Sequence, residues 1–308
     1  MATAALVRVD TRQEIATATI GEEFLAGQLS ERTVRAYRSD VQDFFGKPCE
    51  DVTAEDLRMV TPGHVLAWRN ARMQEQAAST VARKLSSLRS LFRYAEAVGM
   101  IATSPVKREV VRSPKVTQES STEGLDREEA RALLEAIDGE DLTALRDRAL
   151  VELAIRTGLR RAEIIGANVA DLGRENGHHV LTVTGKGGTR QTVKVPVPAA
   201  RALEAYLAAR TDASPALFVS HARNGHEGKR LSAQTVYDRV KRYAEAAGIA
   251  KNITPHSLRH TFVTLSLDGG ATVRQVQAAA RHADPKTTLR YDRHRRNLDD
   301  HASDYLHF

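Results

Sequence analysis

Six residues spread over the second half of the 308-residue chain carry side chains that could act together on one substrate: Arg160, Lys186, His256, Arg259, His282 and Tyr291. Arg160 lies in TGLRRAEI, three residues before Glu163, so on a helix the two face the same way and can pair. Lys186 stands among glycines in TGKGGTR, a loop able to present an ammonium group to a bound molecule. In NITPHSLRHTF, Thr254 suits a helix cap and Pro255 its first turn. His256 and Arg259 then share one face near the helix start, where free backbone N–H groups favour an anion and a neutral histidine. His260 points elsewhere and is expected to pack. RHADPKTTLRYDRHRR places His282 in a break between helices and Tyr291 on the next helix, capped by Asp284 with Pro285 in its first position.

Singly, each feature has a plain explanation, such as a surface ion pair or a solvated loop lysine. As an ordered set they match one chemistry. Two arginines can hold the non-bridging oxygens of a phosphodiester with planar paired donors. Tyrosine supplies an oxygen nucleophile, histidine manages its proton, and lysine can protonate the departing sugar oxygen. The arginines neutralise charge that a magnesium pair would otherwise carry, so no metal or other cofactor is expected. The sequence has no dense Asp/Glu cluster suited to Mg²⁺.

The elements that must position these groups are mostly helical. ERTVRAYRSDVQDFF spaces Val34, Tyr37, Val41 and Phe44/Phe45 as one apolar face. STVARKLSSLRSLFRYAEAVG does the same with Val81, Leu85, Leu88 and Phe92, with Ser79 or Thr80 as cap and Gly99 past the end. Arg83, Lys84, Arg89 and Arg93 surround that stripe and are candidate phosphate contacts. The charged stretch 107–124, with Pro114 and Ser/Thr clusters, reads as a linker whose boundary falls within 112–124. Beyond it, Asp126 caps a helix, a long helix stops at Gly158, and a short one follows. HVLTVTGKGGTRQTVKVPVP holds the convincing strands, Val180–Val183 and Gln191–Val197, joined by a hairpin with Lys186 at its tip. The fold expected is mainly α with a small antiparallel β-sheet. It divides into an N-terminal extension (1–19), a helical domain (20–111), the linker (112–124), an α+β catalytic domain (125–296) and a tail (297–308).

Lys and Arg outnumber Asp and Glu by 45 to 39, a modest basic excess that suits a polyanionic partner. The single cysteine, Cys49, excludes an intramolecular disulfide and a cysteine-rich metal site. No apolar run approaches the ~20 residues of a membrane helix, and the N-terminus lacks a signal-peptide pattern. A cytoplasmic protein is expected.

TGLRRAEI, HSLRHTF and RHADPKTTLRYDR, in this order and spacing, resemble the hallmark segments of the tyrosine recombinases, the phage integrase and Xer superfamily. SERTVRAYRSDVQDF and STVARKLSSLRSLFRYAEAVGMIATSPV resemble that family's helical, SAM-like core-binding domain, so the likeness covers about residues 20–296. It implies that Arg160 and Arg259 grip phosphate, that Lys186 is general acid to the 5′ oxygen, and that His256 is an acid/base. It further implies that His282 hydrogen-bonds the scissile phosphate, that Tyr291 forms a 3′-phosphotyrosyl bond, and that Glu163 supports the site from behind. The implied partners are double-stranded DNA with an inverted-repeat site, a homotetramer on that DNA with a four-way junction, accessory proteins, and for the tail a neighbouring protomer; the implied setting is the nucleoid, in a bacterium or from a phage or mobile element. The family's usual glycine before His282 is replaced here by Arg281, which must adopt the glycine's backbone angles or reshape the loop. The readings that compete are a type IB topoisomerase, a non-cleaving DNA-binding regulator and a metal-dependent nuclease.

Overall fold

The computed structural model describes residues 19–28, 30–115, 123–185, 188–221, 227–282 and 284–289. The chain forms two compact units, Met1–Thr117 and Gln118–Phe308.

Among the described residues, five α-helices build the first unit: α1 (Ile20–Ala26), α2 (Glu31–Phe45), α3 (Ala54–Met59), α4 (Pro62–Glu75) and α5 (Ala78–Ala97). Thr19, Thr53 and Thr61 each accept a bond from a backbone N–H of the first turn of α1, α3 and α4, satisfying donors that helix starts leave free. The apolar stripe of α5 is buried as its spacing requires: Val81, Leu85, Leu88, Leu91 and Phe92 are all fully enclosed. Leu85, Leu88, Leu91 and Phe92 meet Phe24, Val41, Leu57 and Val65 in one core. The expected cap at Ser79 or Thr80 is displaced: α5 starts earlier, at Ala78, and Ala77 offers no side-chain cap. Val111 is buried in this core, and residues 107–111 turn back on themselves through bonds from Val110 and Val111 to Lys107 O.

The second unit carries α6 (Arg127–Glu135), α7 (Leu142–Thr157), α8 (Arg161–Gly166), β1 (Leu172–Glu175), β2 (His178–Thr184) and β3 (Arg190–Lys194). Then follow α9 (Val197–Ala209), α10 (Ala233–Ala246), α11 (Pro255–Asp268), α12 (Val273–Ala280) and α13 (Pro285–Leu289). Helix α7 runs through the middle, against α9 and α11, and buries Leu150, Val151, Leu153 and Ala154. The sheet is antiparallel in the order β1-β2-β3, with Leu181 opposite both Leu172 and Val193. Leu181, Val183 and Val193 face the core, and the residues between them face outward, the alternation of a half-buried sheet. β1 is an addition to the two strands legible in the sequence. It joins β2 through Asn176 and Gly177, with φ of 48° and 78°, a pair suited to a tight hairpin. Gly124 and Leu125 enter this unit against α11, Leu125 N–H donating to Thr261 Oγ1 at 2.8 Å.

Candidate active site

Among the described residues three chain segments form the site, and the helix ends explain their positions. α7 stops at Gly158, which adopts the left-handed region at φ +60° and returns its N–H to Ala154 O. A Cβ at Gly158 would stand 2.4 Å from Cδ1 of Phe262, so glycine answers both a backbone and a packing demand here. The chain then turns into α8 with Arg160 at its N-cap. α11 begins as its sequence predicts, with Thr254 Oγ1 accepting from Ser257 N–H and Pro255 in the first turn. α12 ends at Arg281, which is itself left-handed at φ 56°, ψ 47°, and His282 follows in the break before α13.

Arg259 is the buried centre of this arrangement. Only 5% of it is exposed, and its guanidinium donates to Gly158 O from one nitrogen and to Ala280 O from the other. It thereby ties the segment before Arg160 to the segment before His282. Arg160 stays about half exposed while Nη1 donates to Glu163 Oε1 at 2.8 Å. Its backbone N–H donates to Glu163 Oε2 at 2.7 Å, and Nη2 reaches Arg281 O at 3.3 Å. Glu163 is buried. Burial alone would raise its pKa, but the Arg160 N–H and the charges of Arg281 and Arg160 outweigh that and hold it below the usual glutamate value.

Both site histidines are held neutral. Partial burial and then the charges of Arg259 and Arg160 push His256 below the ordinary histidine value. Since the His256 side chain is exposed, the two charges deserve more weight than the burial. His282 is driven further, to about 4, by burial and then by Arg259, Arg160, Arg281 and His256. Its Nδ1 lies 2.8 Å from Oγ1 of the fully buried Thr288 on α13. With Thr288 donating, Nδ1 accepts and Nε2 carries the proton, which is the tautomer that can donate to a phosphate oxygen. Thr288 had no signal in the sequence beyond its place six residues after His282.

Arg160, Glu163, His256, Arg259 and His282 are thus brought together. Lys186 and Tyr291 lie outside the described residues, as do 1–18 and the tail 297–308. The hairpin that carries Lys186 is described up to Gly185, whose N–H donates to Thr189 O at 2.8 Å. His260 is a packing residue, buried with Nδ1 beside Thr264 Oγ1. Among the described residues no group of three His, Cys, Asp or Glu side chains could hold a metal ion.

The basic set on α5 divides. Arg93 is exposed. Arg83 is half exposed and pairs with Asp40, and Lys84 is largely covered and pairs with Asp43 at 3.1 Å. Arg89 needs correction as a phosphate contact: it is 9% exposed, and Nε and Nη2 donate to Val106 O and Val111 O, Nη1 to Ser113 Oγ. Its position one residue after the buried Leu88 turns it inward, where it satisfies the carbonyls of the segment following α5.

Comparisons with known proteins show the family of the chain. The model of the phage integrase family matches residues 123–297, and that of the phage integrase N-terminal SAM-like domain matches residues 23–99. The tyrosine recombinase XerC of Thermodesulfovibrio yellowstonii is 33% identical over 273 residues, covering 85% of each chain. The tyrosine recombinase XerD of Mycobacterium leprae is 35% identical over 285 residues, covering 85% of this chain and 87% of its own. A lambda integrase dimer bound to a COC′ core site has the same fold, with a TM-score of 0.68 at 20% identity, covering 91% of this chain and 77% of that one.

Proposed function

The chain belongs to the phage integrase family and is a Xer-type tyrosine recombinase acting on DNA, and from that premise we propose that it cuts and rejoins one specific site through a covalent 3′-phosphotyrosyl intermediate. The observation that carries this reading is the Arg259 guanidinium, fixed by carbonyls adjoining both Arg160 and His282. A cation so held can stabilise charge as it develops on a phosphate without reorganising.

In the proposed reaction Arg160 and Arg259 hold the non-bridging oxygens. Tyr291 Oη attacks phosphorus and passes its proton to His256, which is neutral and able to accept it. The bond from phosphorus to the 5′ oxygen breaks, Lys186 protonates that oxygen, and a free 5′-hydroxyl leaves. His282 donates from Nε2 to the phosphate. A 5′-hydroxyl from a second strand then attacks the phosphotyrosine, so the energy of the cleaved bond is kept and no nucleotide is consumed. Exchange of two strand pairs requires four protomers on paired inverted-repeat sites and passes through a four-way junction. The first unit adds phosphate contacts from its exposed cations, Arg93 among them, with Arg83 and Lys84 available once their aspartates release them.

The test is covalent trapping. Wild type and Tyr291→Phe are incubated with a library of host DNA fragments without added metal, stopped with detergent, and the linked fragments sequenced. The expected result is adducts with wild type alone, converging on one inverted repeat. Adducts with Tyr291→Phe would remove tyrosine 291 as nucleophile, and adducts scattered over all fragments would favour a type IB topoisomerase.

A further inference from the structure

Arg281 occupies a costly position. It is a non-glycine residue in the left-handed region, where a Cβ crowds the following carbonyl at about 1–2 kcal/mol. Its side chain is only 9% exposed. Its Nε is buried without a hydrogen-bond partner among the described residues. Glycine at this position would avoid the strain and arginine anywhere on the surface would avoid the burial, so fold stability does not account for the residue. Observed strain of this kind points to a role in the site it borders.

Its polar contacts show what that role is. Nη2 donates to Glu163 Oε2 at 2.7 Å, while Glu163 Oε1 accepts from Arg160 Nη1 at 2.8 Å. One buried carboxylate is therefore divided between two guanidinium groups. Nη1 of Arg281 donates to Ala279 O at 3.1 Å, and its own carbonyl accepts from Arg160 Nη2. His282 is the next residue. Side chain and backbone of Arg281 thus bind the Arg160 turn to the His282 turn from both directions.

We propose that Arg281 is a positioning residue of the cleavage site: sharing Glu163 with Arg160, it fixes the turn that carries His282 against the turn that carries Arg160. The inference rests on the cleavage reading above. Arg281 itself does not touch the scissile phosphate. It acts by limiting the freedom of two groups that do, in a reaction where small misplacement is expensive.

The experiment compares Arg281→Gly, Arg281→Lys, Glu163→Gln, the double variant Arg281→Gly/Glu163→Gln and Tyr291→Phe. Each is measured for DNA affinity, thermal unfolding and the first-order rate of covalent-adduct formation at saturating site DNA. Glycine accepts the left-handed backbone, so Arg281→Gly should fold with an unfolding temperature no lower than wild type and bind DNA with unchanged affinity. Its rate of adduct formation should fall about 10- to 100-fold, the range expected for slight misplacement of reacting groups. Arg281→Lys keeps a charge within reach of Glu163 and should recover part of that rate. The loss from Glu163→Gln should be smaller in the Arg281→Gly background than in wild type, because the two residues act through one contact. Wild-type adduct rates in Arg281→Gly would overturn the proposal, as would additive losses in the double variant. Adducts formed by Tyr291→Phe would instead overturn the cleavage reading, so the two failures are distinct.

Discussion

Gly158→Ala adds one methyl group at the end of α7, and the structure fixes what that methyl meets. The backbone there is left-handed at φ +60°, and the new Cβ would lie 2.4 Å from Cδ1 and 2.9 Å from Cγ of Phe262. The left-handed conformation costs a non-glycine residue about 1–2 kcal/mol. Forcing a methyl against a packed ring adds about 1–3 kcal/mol. The Phe262 ring belongs to α11, the same helix that carries Arg259, so it moves only by shifting that helix or changing rotamer. A combined loss of roughly 2–5 kcal/mol should lower the unfolding temperature of the second unit by about 5–15 °C. The chain offers a clean internal control. Its one tryptophan, Trp68, lies in the first unit, where Nε1 donates to Asp43. Tryptophan emission should therefore follow the first unit and stay unchanged, while the far-ultraviolet circular dichroism transition of the second unit moves down. Adduct formation should slow as well, because Gly158 O anchors Arg259. An unshifted circular dichroism transition would refute the packing argument. Wild-type adduct formation alongside a large thermal shift would refute the link from Gly158 to Arg259.

Two further predictions concern residues whose burial decides their role. His282 titrates near 6.5 when unfolded and at about 4 when folded, so above pH 6.5 both states are neutral and it adds no pH dependence. Between pH 6.5 and about 4 the unfolded state takes up the proton first, and stability falls by at most ~1.4 kcal/mol per pH unit from this group. His282→Gln should flatten that part of the profile in denaturant titrations at pH 4.5 to 7, and an unaltered slope would mean that the ring is not buried as described. Arg89→Ala strands two carbonyls, so it should destabilise the first unit by about 2–4 kcal/mol, read by Trp68 emission. It should leave the salt dependence of DNA binding unchanged, whereas Arg93→Ala should reduce that slope by about one, and the opposite pattern would return Arg89 to the DNA surface.

The parts of the fold that were legible in the sequence are those written in local physics. Thr254-Pro255 marks the start of α11, Asp126 caps α6, Gly158 ends α7, and the spacing of Val81, Leu85, Leu88 and Phe92 marks the buried face of α5. The pairing of Arg160 with Glu163 followed from their three-residue separation. Strand β1 escaped because LGRE has no apolar alternation and one of its four residues is glycine; the Asn176-Gly177 turn after it was the available sign. Arg89 was misplaced for a different reason. A helix wheel reports which way a side chain leaves the helix, but not that the chain returns after Pro105 to lay two carbonyls over it. The hold on Arg259 was equally hidden, since the carbonyls of Gly158 and Ala280 lie 101 and 21 residues away and are backbone oxygens that no residue type announces. Arg281 stood out as a departure from the family's glycine, yet its pairing with Glu163 spans 118 residues and depends on two turns meeting.

The anchoring of Arg259 also has a consequence for a chain still being synthesised. Its carbonyl partners come from Gly158 and Ala280, and the second of these emerges from the ribosome after the arginine itself. A nascent protein that has folded only as far as α11 holds the guanidinium without its Ala280 acceptor. The hold of Ala280 on Arg259 is completed only when α12 has docked on α11, through Val276 and Ala280 against Val263 and Leu267. On the proposed cleavage reading, a chain cut short before α12 lacks this anchor as well as Tyr291, and so has no means of cutting the DNA it meets.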